Sequence, residues 1–315
     1  MGKKLAFKLK KVTMDTTSLQ DALKTLTAND PVGIAVPVFL LLILLEAGIS
    51  AWEQRNWYET KDAFASLGMG LGSVLVNLIS KLFFFLIFTW LYQNAALFRI
   101  EPAWWSWILL FFLDDLSFYW HHRTSHEVRI LWASHSNHHS SQRYNLSTAL
   151  RQSWTEFLYK YVFWIWLPVL GFPPVMIFTM ISISLIYQFF LHTESVRRLG
   201  WLEYVLNTPS HHRVHHATNL KYLDRNHGGM LIIWDRLFGT FEPEDPNDPP
   251  VYGLTQNIHT YNPVRIAFAE HEKIATDLRR APDWKTRLRY LVSPPGWSHD
   301  GSSKTTRELR RNLPS

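Results

Sequence analysis

YVFWIWLPVLGFPPVMIFTMISISLIYQFFLH, residues 161–192, holds no Asp, Glu, Lys or Arg and ends on a histidine. About 20 apolar residues are enough for a helix to cross a bilayer core, and this run is longer. Gly171, Pro173 and Pro174 interrupt it a third of the way along. Proline cannot continue a helix through its missing N–H and ring clash, so the stretch reads as a helical hairpin whose second arm delivers His192. Upstream, Pro31 to Trp52 (with Glu46 inside it), Ala63 to about Phe98 (with Lys81 in its middle) and Ala103 to about Trp120 (with Asp114 and Asp115) are also apolar enough to span or enter a membrane.

The organisation these segments predict is an all-α integral membrane helical bundle with a helical, histidine-rich catalytic cap. Residues 1–30 form a basic N-terminal segment and 31–100 transmembrane helices. Residues 101–245 form a di-metal catalytic region that includes the transmembrane hairpin, and 246–315 a polar, amphipathic tail. EPEDPNDPP, just past Phe241, is a loop. Trp284, Leu288 and Leu291 recur at helical spacing among Lys285, Arg287 and Arg289, which suits either a membrane surface or packing on the catalytic region. The lysines of MGKKLAFKLKK argue for a cytosolic N-terminus, whereas three full spans would then put the histidines on the opposite side. A multi-pass protein with its histidines on the cytosolic face is the expectation.

Composition agrees. Of the 315 residues 47% are hydrophobic and 15% aromatic, with 15 tryptophans, a load that suits interfacial belts. A mean hydropathy of -0.09 leaves a sizeable polar portion outside the bilayer. The formal net charge of +6 fits an anionic lipid surface; with no basic stripe on a recognisable binding motif, nucleic acid is not an expected partner. The absence of cysteine excludes disulfides, a thiolate nucleophile and thiolate-held zinc or iron–sulfur. Any metal here takes nitrogen and oxygen ligands.

Twelve of the fifteen histidines lie between His121 and His227. His122 and His126 stand four apart, on one face of a helix. His135, His138 and His139 form HxxHH, and His212, His215 and His216 repeat it. His192 ends the hairpin, and His227 sits in DRNHGG. Three imidazoles satisfy a typical catalytic zinc, so eight or more converging histidines suggest two ions with about four ligands each. His121 and His211 read equally well as neighbours of ligands or as surface residues, and His259, His271 and His299 as surface residues.

Taken in order, DLSFYWHHRTSHE, LWASHSNHHSSQRYNLSTALRQSW, TPSHHRVHHATN and LDRNHGGMLIIWDRLFGTF resemble the fatty acid hydroxylase and sterol desaturase superfamily, over about Asp115 to Phe241. The resemblance implies a membrane-bound di-iron enzyme that uses dioxygen to hydroxylate or desaturate a sterol, fatty acyl chain or ether lipid. It implies iron ligation by His122, His126, His135, His138, His139, His212, His215 and His216, with His192 joining them. His227 stands where the commonest form of that motif has tyrosine, and completes the set of ten candidate ligands.

Around the ligands, Asp115 is placed to fix an imidazole tautomer or to pair with Arg123. Glu127, Glu194 and Asp224 adjoin ligands, and Asn137, Asn145 and Asn226 are candidates for holding a metal-bound water; Asp115, Glu127 and Asn137 are the three assigned catalytic roles. Asp235 and Arg236 look structural. No dinucleotide fingerprint is present, so electrons come from an external partner such as cytochrome b5, a ferredoxin or a pterin. Two rival readings are a zinc-dependent membrane hydrolase, against which HExxH is missing, and a non-enzymatic metal-binding membrane protein, which would hold histidines midway along its spans.

Overall fold

The computed structural model describes residues 30–311, and the proposed basic segment at the N-terminus lies almost wholly outside them. Eleven α-helices make up the described chain, with four short 3₁₀ turns and, among the described residues, no β-strand. Four helices set the frame: α1 (Pro31–Trp52), α2 (Thr60–Ala95), α3 (Trp104–Glu127) and α6 (Pro174–Phe189). The helix α5 (Trp166–Leu170) precedes α6. At 1.5 Å per residue α1 is about 33 Å long and α2 about 54 Å, and both are apolar enough to cross a membrane. Leu41, Leu44, Leu75 and Ile79 are more than half exposed on their outer faces, the reverse of a soluble core helix.

The two charges within the apolar stretches of these helices, Lys81 and Glu46, are both engaged. Lys81 meets Asp30, the N-cap of α1, at 2.7 Å, and Ser182 of α6 donates to the same carboxylate at 3.0 Å. Buried Glu46 accepts from the Tyr58 hydroxyl at 2.6 Å, from the Leu146 N–H at 2.8 Å and from the Thr193 hydroxyl. An uncompensated charge here would cost several kcal/mol; instead each one fixes the height of its helix against a neighbour. Asp30 stands level with residue 182, Phe39 stacks on Phe189 at 3.9 Å, and Glu46 reaches Thr193. The C-terminal end of α1, the start of α2 and the ends of α3 and α6 therefore share one end of the bundle.

The opposite end closes through the 96–103 connection and the turn at Gly171. Its φ of +123° and the carbonyl of Phe98, which a Cβ at residue 171 would meet at 2.4 Å, both require glycine. Between the ends, Phe88, Leu110, Trp164, Leu167, Phe172 and Ile177 form the main core. The hairpin departs from the sequence reading in its first arm. Residues 160–170 fold as a 3₁₀ turn followed by five-residue α5, while α6 is about 24 Å long, less than the ~30 Å hydrocarbon core.

Past α3 the chain breaks at Val128, whose extended backbone folds α4 (Arg129–His139) back beside it. The cap also holds α7 (Pro209–His215) and α8 (Ile233–Phe238). The C-terminal α9 (Pro263–Arg280) lies along α4, followed by α10 (Trp284–Val292) and α11 (Thr306–Arg310). Arg129 joins this layer to α4 through Glu270 at 3.0 Å and Asp277 at 2.6 Å. In α10, Tyr290 is buried against the cap while Trp284 and Leu288 stay exposed.

Candidate metal centre

Nine buried histidines assemble into two groups at the shared end of the bundle. The first is His122, His126, His135, His139 and His215; the second is His138, His192, His212 and His216, the ligand nitrogens within each lying within 4.8 Å of one another. On a helix, successive residues turn by about 100°, so positions i and i+4 lie about 40° apart, while i+3 falls about 60° to the other side. An HxxHH therefore points two rings one way and one ring another. The two motifs use this reciprocally: α4 gives His135 and His139 to the first group and His138 to the second, and α7 gives His212 together with His216, its C-cap, to the second and His215 to the first. The outer rings His139 and His216 stack at 4.3 Å where the groups adjoin.

The fit to metal ions can be tested on the nitrogens. Nε2 of His135 lies 3.0 Å from Nε2 of His122 and 3.2 Å from Nε2 of His139; Nε2 of His192 lies 3.1 Å from those of His138 and His212. Nitrogens this far apart, each about 2.1 Å from a shared centre, subtend roughly 90–100°, ordinary angles at a first-row ion. Tautomers point the same way. Nδ1–H of His122 donates to the His227 carbonyl at 2.9 Å, that of His215 to the Arg225 carbonyl at 2.9 Å and that of His192 to the Gln188 carbonyl at 2.8 Å. His126 Nδ1 faces the Asp224 carboxylate at 3.3 Å. Each such bond leaves Nε2 as a bare lone pair turned inward, and Nε2 of His126 and His215 has no hydrogen-bond partner. Burial and neighbouring imidazoles hold His122, His135, His139, His212, His215 and His216 well below the usual imidazole range, so these rings are neutral and ready to ligate.

Residues 224–227 act as a strap across the first group. Its Asp224 carboxylate, Arg225 carbonyl and His227 carbonyl hold three of the five imidazoles. Asp224 and Asn226 take left-handed φ of +52° and +56°, which turns these acceptors toward the imidazoles. Buried Asp235 fixes the strap, accepting from the His227 N–H at 2.8 Å, the Gly228 N–H at 2.7 Å and the Thr240 hydroxyl at 2.6 Å. Burial pushes this carboxyl up to about 6 against the pull of those donors. Asn226 bonds the His211 and Glu242 backbones. The run Asp-Arg-Asn-His-Gly-Gly is rich in turn-forming residues, the one local feature that marks this segment.

Other candidates sit differently. The His227 ring lies outside both groups, 5.0 Å from that of His126 between centroids, and it is the backbone of His227 that touches the centre. Asp115 accepts from the Met230 and Leu231 N–H groups at 2.6 and 3.0 Å and from the Trp234 indole at 2.9 Å, rather than from an imidazole or Arg123. Glu127 is half exposed and paired with Arg123 at 2.8 Å. Asn137 donates to the Ala267 carbonyl at 3.3 Å, tying α4 to α9, and Asn145 donates to the Trp57 carbonyl at 2.8 Å. Glu194 is half-buried near Arg213 and Tyr252. Buried His121 meets Glu156 at 3.2 Å, and buried His211 packs on Phe241. His259 and His299 are exposed and His271 half-buried.

A cavity of about 1430 Å³ reaches His126, His139, His215 and His216 from the side of the C-terminal layer. Charged residues stand on its lining, among them Arg129, Asp224, Glu270, Lys273 and Lys304, so charged groups face this approach to the histidines.

A family model, fatty acid hydroxylase, matches residues 107–240. The human alkylglycerol monooxygenase is 39% identical over 288 residues, covering 90% of this chain and 63% of its own length. The alkylglycerol monooxygenase of Danio rerio is 40% identical over 269 residues, 84% of this chain and 59% of its own. An ornithine lipid hydroxylase of Rhizobium tropici is 30% identical over 148 residues, 46% of this chain and 44% of its own. The chain thus spans less than two thirds of each relative's length. No solved structure matches it.

Proposed function

The chain carries a fatty acid hydroxylase domain, and from that premise we propose that it is a membrane-embedded, iron-dependent oxygenase that uses dioxygen to hydroxylate or desaturate a lipid, with one iron in each histidine group. The observation that carries this reading is the nine-nitrogen, carboxylate-free ligand set, split five and four, with its lone pairs turned inward. When bound, an iron pair would activate dioxygen as the oxidant of an unactivated C–H bond, a task no side chain performs. The protein's own part is to hold neutral imidazoles in fixed tautomers, to keep the strap carbonyls on their N–H groups and to exclude bulk water by burial.

The substrate class favoured is an alkylglycerol, the molecule in the names of four relatives at 34–40% identity. Helices α1 and α2 cross the bilayer, so that the histidine end meets one membrane face, the cytosolic one in our reading. An external donor supplies electrons. A zinc hydrolase fits less well, because five imidazoles in the first group exceed the four ligands usual for zinc; a transporter fits less well, because the histidines gather at helix ends rather than midway along spans.

The test is full-length protein in lipid nanodiscs, analysed for metals and then given alkylglycerol, reductant and dioxygen, with lipid mass spectrometry as the readout. Two irons per chain and a product gaining one oxygen or losing two hydrogens support the reading. Stoichiometric zinc with no oxygen consumption overturns it.

A further inference from the structure

Between the end of α6 and α7 the chain runs over the outside of the bundle and leaves large apolar side chains uncovered. Trp201 is 76% and Tyr204 71% exposed, and Leu237, on the neighbouring α8, is 69% exposed. These two segments form one surface: the Ile232 N–H donates to the Val205 carbonyl at 2.9 Å, and the Arg236 guanidinium donates to the Glu203 carbonyl at 3.2 Å. The surface also continues the outer apolar face of α3. Ile108 and Phe112 are exposed on that face, and above them Trp120 packs on Phe238 at 5.0 Å, next to Leu237.

Its height is fixed by contacts. The Tyr187 hydroxyl of α6 donates to the Asn207 carbonyl at 2.6 Å, and residue 189 of the same helix stacks on Phe39 of α1. Asn207 is thus tied to the last turn of α6, which packs on α1, and through the Met230 carbonyl to the residue that Asp115, two turns before His122 on α3, holds by its N–H. Arg197 and Arg198 precede it and are exposed, and Arg236 stands beside Tyr204. Among the described residues none of the three arginines forms an ion pair.

We propose that Trp201, Tyr204 and Leu237 form a wedge that inserts into the headgroup boundary of the bilayer, with Arg197, Arg198 and Arg236 binding the phosphates of anionic lipids. Aromatic rings settle at that depth because one end is apolar and the other wet, and arginine matches phosphate with two parallel N–H groups. The wedge would hold the cap against the membrane where neither α5 nor α6 is long enough to do so as a full span. This inference rests on the reading of α1 and α2 as membrane-embedded, so the test includes a control for that reading.

The chain has no cysteine, so a single introduced cysteine takes a fluorophore uniquely. Full-length Tyr204→Cys and Leu237→Cys are labelled and reconstituted in phosphatidylcholine vesicles in which brominated phosphatidylcholine or brominated phosphatidylglycerol acts as quencher. Leu44→Cys on α1 and Asn247→Cys in the acidic loop are the embedded and aqueous references. Labels at 204 and 237 are expected to quench as strongly as the label at 44. At equal mole fraction the label at 204 should report local phosphatidylglycerol enriched about fivefold over phosphatidylcholine, the equivalent of one arginine at an anionic surface, and Arg197→Glu with Arg198→Glu should abolish the enrichment. If 44 quenches while 204 and 237 behave like 247, the wedge is overturned and the membrane reading stands. If 44 itself does not quench, the membrane reading has failed. Equal quenching by the two brominated lipids at 204 overturns the phosphate-binding role of the arginines.

Discussion

Replacing Asp235 with asparagine tests whether the strap at 224–227 is what orients the first histidine group for metal binding. The two carboxylate oxygens accept three hydrogen bonds, from the His227 and Gly228 N–H groups and the Thr240 hydroxyl. An amide keeps the volume but supplies a single acceptor oxygen and turns an NH₂ toward at least one donor. Losing one or two bonds to a buried charged acceptor costs about 2–4 kcal/mol. The strap also contains two non-glycine residues in the left-handed region, each held there at a cost of about 1 kcal/mol or more, so it relaxes once released. The His227 carbonyl then leaves Nδ1 of His122, and loss of such an orienting partner lowers metal affinity by about 10–100-fold. The assay is Fe(II) or Co(II) titration of the purified variant with elemental analysis, alongside thermal unfolding. One of the two sites should weaken by that factor while the second, whose four histidines do not touch the strap, keeps its parent affinity. Two sites of parent affinity in a protein whose unfolding temperature has dropped would refute the reasoning. Thr240→Ala, which removes one of the three donors, should show the same asymmetry in milder form.

His138→Ala should empty the second group, leave one ion in the first and abolish lipid oxidation, measured by metal analysis and product mass spectrometry; full turnover would sink the two-ion assignment. Glu127→Ala removes only an exposed i,i+4 pair, a contribution of about 0.3–0.5 kcal/mol, so turnover and metal content should match the parent, and a large loss would return Glu127 to the chemistry. Metal-free protein should lose stability as pH falls. The folded-state pKa values of His135, His139, His212 and His215 are depressed, so below about 6.5 the unfolded chain binds protons that the folded one does not, at about 1.4 kcal/mol per pH unit for each such proton. Denaturant titrations of apo-protein between pH 5 and 8 check this, and a flat profile would show that the rings are not neutral as buried.

The sequence by itself determined that this is a helical chain with long apolar runs and two repeats of a three-histidine pattern. Both signals are local: a run of uncharged residues reads directly as a helix able to meet lipid, and HxxHH on a helix keeps its three rings within about 100° of arc. It carried the bounds of one helix as well, since α1 falls on Pro31–Trp52 as read. Tertiary structure alone decided how the ligands are shared. His138 leaves its neighbours for the second group and His215 leaves its own for the first, because a ring 60° or more off the i,i+4 direction falls into the other group. It also decided which neighbours matter. Asp115, Glu127 and Asn137 had the right chemistry beside the right residues, yet their side chains point to backbone, to arginine and to α9, while backbone carbonyls of Arg225 and His227 orient the imidazoles. A carbonyl belongs to every residue, so no sequence pattern marks the two that a fold turns inward; only the left-handed strap and the buried Asp235 beneath it do so.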